Sequence, residues 1–109
     1  MAVTVIALLS INESEPQALG EYFRITTPLL ERARARIVKR FTLIEPIVGN
    51  RPAQMAVIVE YPDREAVDSV FKSREYREAI PFRDRAFLKY EISIGVGDDA
   101  PAADAERAR

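Results

Sequence analysis

The chain contains no cysteine, no histidine and no tryptophan among its 109 residues. Without cysteine there are no disulfides, no thiolate nucleophile and no soft metal site. This suits a reducing cytoplasm, the expected location. Without histidine the usual neutral-pH acid/base group and the commonest metal ligand are gone. Glycine is sparse at 4 residues, and no Gly-rich phosphate loop or nucleophile elbow is present. Neither charge sign dominates: 16 Lys and Arg stand against 17 Asp and Glu, a net charge of -1. No global field therefore draws the chain to nucleic acid or to a membrane surface. The apolar start, Met1 to Ile11, has no basic region before it, and it meets the polar run Asn12 to Glu15 too soon to span a bilayer. It is read as a strand. The densest carboxylates, Asp63, Glu65 and Asp68, lack calcium-loop spacing, and Asp63 as a helix cap with Glu65 in the first turn accounts for them. No metal and no cofactor are expected.

What is there is an apolar share of 48% and a charged share of 30%, ordinary for one globular domain. Val3 to Ile11 is a nearly continuous apolar run rich in Val and Ile, the pattern of a strand buried on both faces. Ser14 with Gln17 is a capping-box pattern, and Leu19, Tyr22, Phe23, Thr26, Leu29, Leu30 and Ala33 make one helical stripe interrupted by Pro28. Arg36 to Val48 is a second, more polar strand, ended by the turn residues Gly49-Asn50-Arg51-Pro52. Ala53 to Tyr61 is the third strand. Asp63 caps a second helix with Ala66, Val67, Val70 and Phe71 facing inward, and Ser73 restarts a short helical turn. Phe87 to Ile94 is the fourth strand. The domain is expected over 1–96 and a disordered tail over 97–109.

The order β-α-β-β-α-β predicts an α+β, ferredoxin-like sandwich: an antiparallel four-stranded sheet of order 4-1-3-2 with two helices on one face. The apolar first and third strands belong in the middle, and the split βαβ reading makes that central pair parallel. The other sheet face carries Thr4, Ile6, Leu8, Ser10, Ala56 and Ile58, too apolar for free exposure. A second copy of the chain, sheet against sheet about a two-fold axis, is the simplest cover. The expected partners are this homodimer and a small-molecule ligand.

A resemblance follows from particular residues. Val57-Ile58-Val59-Glu60-Tyr61-Pro62, then Glu65-Ala66, then Ser73-x-Glu75-Tyr76 with Pro81-x-Arg83, resemble the domain of unknown function 1330 family. Tyr22, Pro28, Arg36, Arg40, Gly49 and Pro52 support the likeness, which runs from about Ile6 to Gly95. It implies a dimeric α+β barrel in which two ferredoxin-like sheets face each other, and it implies no activity. Members often carry glycines on either side of the second strand, where Ala33-Arg34-Ala35 and Phe41 stand in this chain.

Two constellations are candidates for chemistry. Arg40, Glu60 and Lys89 would line the rim of a pocket between the two sheets if their strand parities agree. A carboxylate between two cations binds or orients; the alternative is edge-strand ion pairs in water. Tyr76 and Arg83 would together grip a small organic acid. The alternative there is a Tyr76 that packs the turn onto the sheet while Arg83 pairs with Glu75, Glu78 or Asp84. The basic run Arg32, Arg34, Arg36, Lys39 and Arg40 lacks the aromatic signature of RNA-binding sheets and reads as a solvated helix end. The sequence thus points to a small cytoplasmic dimer that binds an organic molecule between its sheets. The alternatives are a cofactor-independent enzyme of monooxygenase or isomerase type, with Glu60 or Tyr76 handling protons, and a non-catalytic dimeric scaffold.

Overall fold

In the computed structural model, which describes residues 2–97, four strands form a sheet and three helices cover one of its faces. The strands are β1 (Val3–Ile11), β2 (Arg36–Thr42), β3 (Met55–Tyr61) and β4 (Phe87–Gly95). The helices are α1 (Pro16–Arg32), α2 (Arg64–Phe71) and α3 (Arg74–Ala86). The sheet order is β2-β3-β1-β4, the expected order seen from the other edge. The central β1–β3 pair is antiparallel, not parallel, and so are both flanking pairs. The connection through α1 skips one strand, as does that through α2 and α3. Each strand therefore neighbours one running the other way. The expected tail lies outside the described residues but for its first, Gly97.

Local chemistry explains where the elements begin and end. The Tyr61-Pro62-Asp63 corner ends β3, and the Asp63 carboxylate accepts the Ala66 N–H at 2.7 Å to cap α2. The expected short turn after Ser73 is a full helix of 13 residues, α3, in which the Ser73 hydroxyl accepts the Tyr76 N–H at 3.0 Å. The Ser14 capping box does not form. Asn12 Oδ1 takes both the Ser14 N–H and the Ser14 hydroxyl, and α1 opens instead on Glu15 and Pro16 without a side-chain cap. Pro is tolerated there because its missing donor has no partner in the first turn anyway. The same helix runs through Pro28 to Arg32.

β2 stops at Thr42, not at Val48. Pro46 supplies no ladder donor, and residues 43–54 leave the sheet as a long loop that exposes Ile44, Ile47 and Val48. Gly49 sits there at φ 75°, as its turn role requires. β2 also holds a bulge: Ile37 pairs with Val59 and Lys39 with Ile58, so Val38 is an extra residue. A bulge reverses which face every later side chain uses. Arg36 is opposite Glu60 on the open face, whereas Arg40 is opposite Val57 on the helix face.

The core lies between the helices and the sheet. Val5, Tyr22, Leu29, Tyr61, Val70, Tyr76, Ala79, Ala86 and Phe87 are buried there. The open face carries Ile6, Leu8, Ala56 and Ile58, the set expected from alternation. Arg34, between α1 and β2, holds φ 59°, the left-handed region that suits glycine. Arg34→Gly is expected to leave stability unchanged or raise it by up to about 1 kcal/mol, whereas Arg34→Val costs about 1–2 kcal/mol. Urea unfolding of the two variants checks this, and equal midpoints for both would contradict it.

Candidate functional site

A cavity of about 560 Å³ lies between the helix layer and the sheet of a single chain. The value falls inside the roughly 300–1,000 Å³ typical of ligand pockets. Its floor is the apolar helix-facing set of the sheet, including Val5, Ala7, Leu9, Val57, Val59 and Ile92. The volume exists because the helices do not reach across the sheet. α1 and α3 pack on one another, and all seven residues of β2 remain exposed. Five lining residues are exposed: Phe23 beside the Tyr22 ring, and Thr27, Glu31, Ile37 and Arg40, which mark the mouth between α1 and β2. The location differs from the sequence expectation, which set the pocket between two sheets.

The closed end is a ring of phenols. Tyr22 from α1, Tyr76 from α3 and Tyr90 from β4 all line the cavity. Tyr22 Oη lies 3.0 Å from Tyr76 Oη and is in hydrogen-bond contact with Tyr90 Oη; the Tyr76 hydroxyl donates to Tyr90 at 3.2 Å. The rings meet edge to face, with Tyr22 5.7 Å from Tyr90 and 6.1 Å from Tyr76 between centroids. Arg83 closes the group from outside the lining. Its guanidinium lies 5.9 Å from the Tyr76 ring and 5.5 Å from the Tyr90 ring, and Nη1 donates to Tyr76 Oη at a long 3.5 Å. It also pairs with Asp84 at 3.3 Å.

This burial sets the electrostatics. The Tyr22 and Tyr90 phenols are both pushed well above the ordinary value, first by burial and then by neighbouring phenols. Tyr61, at the end of β3, is pushed up to about 12 by burial and by the charge Tyr76 would carry. For Arg83, burial pulls down, but Tyr76 and Asp84 more than offset it and the net shift is upward. A tyrosine raised in the folded chain stabilises the fold fully below its unfolded value of about 10 and loses that contribution as pH climbs through the folded value. Stability is therefore expected to fall steeply above about pH 10, over the window that ends near 12 for Tyr61. Urea midpoints at neutral pH and near pH 11 measure it; equal midpoints would show that the phenols are not buried as described.

The residues singled out from sequence separate into two groups. Tyr76 and Arg83 are brought together. Arg40, Glu60 and Lys89 are not. Glu60 lies on the open face, ion-paired with Arg36 at 2.8 Å. Lys89 is on that face too, opposite Ser10 at the far end of β1 from Thr4, the partner of Glu60, and it lies 3.5 Å from Glu91. Both pairs are solvent-facing and stabilise little. Arg40 stands on the other face, at the cavity mouth, because of the bulge in β2. Glu75, a sequence alternative for Arg83, pairs instead with Arg32 at 3.2 Å. Tyr22 and Tyr90 were missed as site residues; a tyrosine within each apolar stripe is the signal, since a buried phenol needs a hydrogen-bond partner. Among the described residues no group of acidic side chains is placed to hold a metal ion, and no helix is long and apolar enough to cross a membrane.

Residues 4–94 match the family described as Domain of unknown function (DUF1330). The chain belongs to the DUF1330 family. No curated protein matches the sequence. This DUF1330 chain is similar in structure to a protein of unknown function from Rhodopseudomonas palustris, with a TM-score of 0.73, 18% identity, and 91% of this chain and 84% of that one covered. It is similar to a dimeric protein of unknown function with a ferredoxin-like fold from Bacteroides fragilis (TM-score 0.54, 13% identity, 88% and 96% covered). It is similar also to SnoaB, a cofactor-independent oxygenase from Streptomyces nogalater (TM-score 0.58, 12% identity, 93% and 97% covered). Likeness at these identities establishes the ferredoxin-like fold. The expected fold and family are both borne out.

Proposed function

We propose that this DUF1330 protein is a cytoplasmic homodimer that binds one small organic molecule per chain, in the cavity between its helices and its sheet. The observation that carries this reading is the cavity itself, about 560 Å³, with largely apolar walls and a buried polar end at Tyr22, Tyr76 and Tyr90. Burial of an apolar ligand supplies the affinity and a few hydroxyls supply the orientation. The test is a fluorescence titration with β-naphthol, a neutral apolar phenol. Saturable binding at one site per chain is expected. An absence of saturable binding would overturn the reading and favour a non-catalytic scaffold.

The dimer rests on the open face, where Ile6, Leu8, Ala56 and Ile58 need cover, and on the dimeric description of the Bacteroides fragilis neighbour. Ile58→Glu would set two like charges together near a two-fold axis. It is expected to give a monomer by solution mass at micromolar concentration where the parent chain is a dimer. A parent monomer would contradict the account of this face.

A second reading, a cofactor-independent enzyme of monooxygenase type, draws support from the phenol ring beside a guanidinium and from the likeness to SnoaB, a cofactor-independent oxygenase. Proton handling then falls to Tyr76. Oxygen uptake with a bound phenol, lost in Tyr76→Phe while affinity persists, is the result it expects; binding without uptake contradicts it.

A further inference from the structure

The two ends of the cavity differ in chemistry, and the difference defines a ligand class. At the closed end, three hydroxyls make three contacts: Tyr22 with Tyr76, Tyr22 with Tyr90, and Tyr76 with Tyr90. Each hydroxyl owns one proton. A closed ring of three contacts uses all three protons, and Arg83 adds a fourth donor from outside, to Tyr76. What remains for a ligand at this end is acceptor capacity on the phenol oxygens. A ligand hydroxyl donates into that ring without disturbing it, whereas a carboxylate accepts from it only by breaking at least one of its contacts.

At the mouth the situation reverses. Arg40 lines the opening and, among the described residues, makes no hydrogen bond or ion pair. It reaches the helix face only because Val38 is an extra residue in β2; in an unbulged strand it would share the open face with Glu60. Bulges re-aim side chains beside functional sites. Glu31 lies at the same mouth, on the last turn of α1, and no ion pair within 4.0 Å joins it to Arg40. Arg40 thus offers five N–H donors that point to no protein acceptor.

The register gives the length between the two ends. Arg40 is in line with Val57, Ala7 and Ile92 across the sheet, and Tyr90 stands two residues along β4 from Ile92. Three inter-strand spacings and two residues of rise put the two Cα positions about 16 Å apart. Both side chains rise from the same face of the sheet, so a ligand that reaches from one to the other has to be elongated.

We infer that the ligand of this cavity is an elongated, apolar hydroxy acid, its hydroxyl set against the Tyr22–Tyr76–Tyr90 ring and its carboxylate held at the mouth by Arg40. The inference rests on the cavity reading above and deepens it. Arg40 is the specificity-determining residue.

The experiment is a competition titration against β-naphthol with p-hydroxycinnamic acid, its methyl ester, cinnamic acid and tyramine. The acid is expected to bind about tenfold tighter than the ester, and removal of the hydroxyl, in cinnamic acid, to weaken binding about fivefold. Arg40→Gln should reduce the acid to the affinity of the ester, and Arg40→Lys should keep part of the difference. Equal binding of acid and ester by the parent chain would overturn the inference, as would a difference that survives in Arg40→Gln. Tighter binding of tyramine than of the acid would overturn it in favour of a cationic end read by Glu31. If β-naphthol binds and acid and ester do not differ, the cavity reading stands and only this inference falls. If none of the five binds, both fall.

Discussion

Truncating Tyr76 to alanine is expected to destabilise the domain by about 3–5 kcal/mol, against a total stability of about 5–15 kcal/mol for a domain of this kind. Tyr76 is 3% exposed. Its ring packs on Phe71 at 5.1 Å and on Tyr22, and its hydroxyl holds the phenol ring together. The phenylalanine variant separates the two contributions. Tyr76→Phe keeps the packing and removes one hydroxyl, leaving Tyr22 and Tyr90 one contact each, at a cost of about 1–2 kcal/mol. Urea unfolding followed by circular dichroism measures both. An alanine variant within about 1 kcal/mol of the parent would mean that the helix layer does not close on the sheet as described.

The second large effect is on binding. Ala7 sits on the central strand, 6% exposed, and lines the cavity floor. Ala7→Phe places a ring in space that is otherwise available to ligand. It is expected to weaken β-naphthol at least about a hundredfold while changing stability by no more than about 1 kcal/mol. The contrast is Ala79→Phe. Ala79 has 0% exposure and is not part of the cavity lining. The same enlargement there overpacks the core and costs about 1–3 kcal/mol or more. Equal destabilisation by the two substitutions would show that the cavity is not free volume.

The architecture was legible in the sequence because its signals are periodic. The apolar runs of β1 and β3 placed those strands in the centre, and the Asp63 cap marked the start of α2. Tyr76 and Arg83 were legible as a pair from their chemistry, a phenol donor and a guanidinium suited to one acid; that they stand two turns apart on one helix was not, because only a short turn was expected after Ser73. The site as a whole was not, for two physical reasons. A single extra residue, Val38, reverses the face of everything after it in β2, and nothing in the run Ile37-Val38-Lys39 announces a bulge. The expectation that Arg40 could share a face with Glu60 therefore fails: Arg40 lies opposite Val57, on the other face. The second reason is that the cavity arises from an absence of helix over β2, a property of how α1 and α3 lie on the sheet. Tyr22 and Tyr90 looked like ordinary members of apolar stripes, and only tertiary packing brings α1, α3 and β4 to one point. Residues 43–48 were misread as strand because Ile44, Ile47 and Val48 are β-formers; Pro46 among them was the contrary signal, and the turn at Gly49 to Pro52 was read as one.

The proposed binding site belongs to each chain, under its helices, and not to the cleft between two sheets. A crystal structure of the protein grown with p-hydroxycinnamic acid tests it most directly. Ligand density is expected between the helix layer and the sheet, with the hydroxyl against Tyr22 and Tyr90 and the carboxylate toward Arg40. Density between the open sheet faces of two protomers, or a helix–sheet space filled by the chain's own side chains, would contradict it.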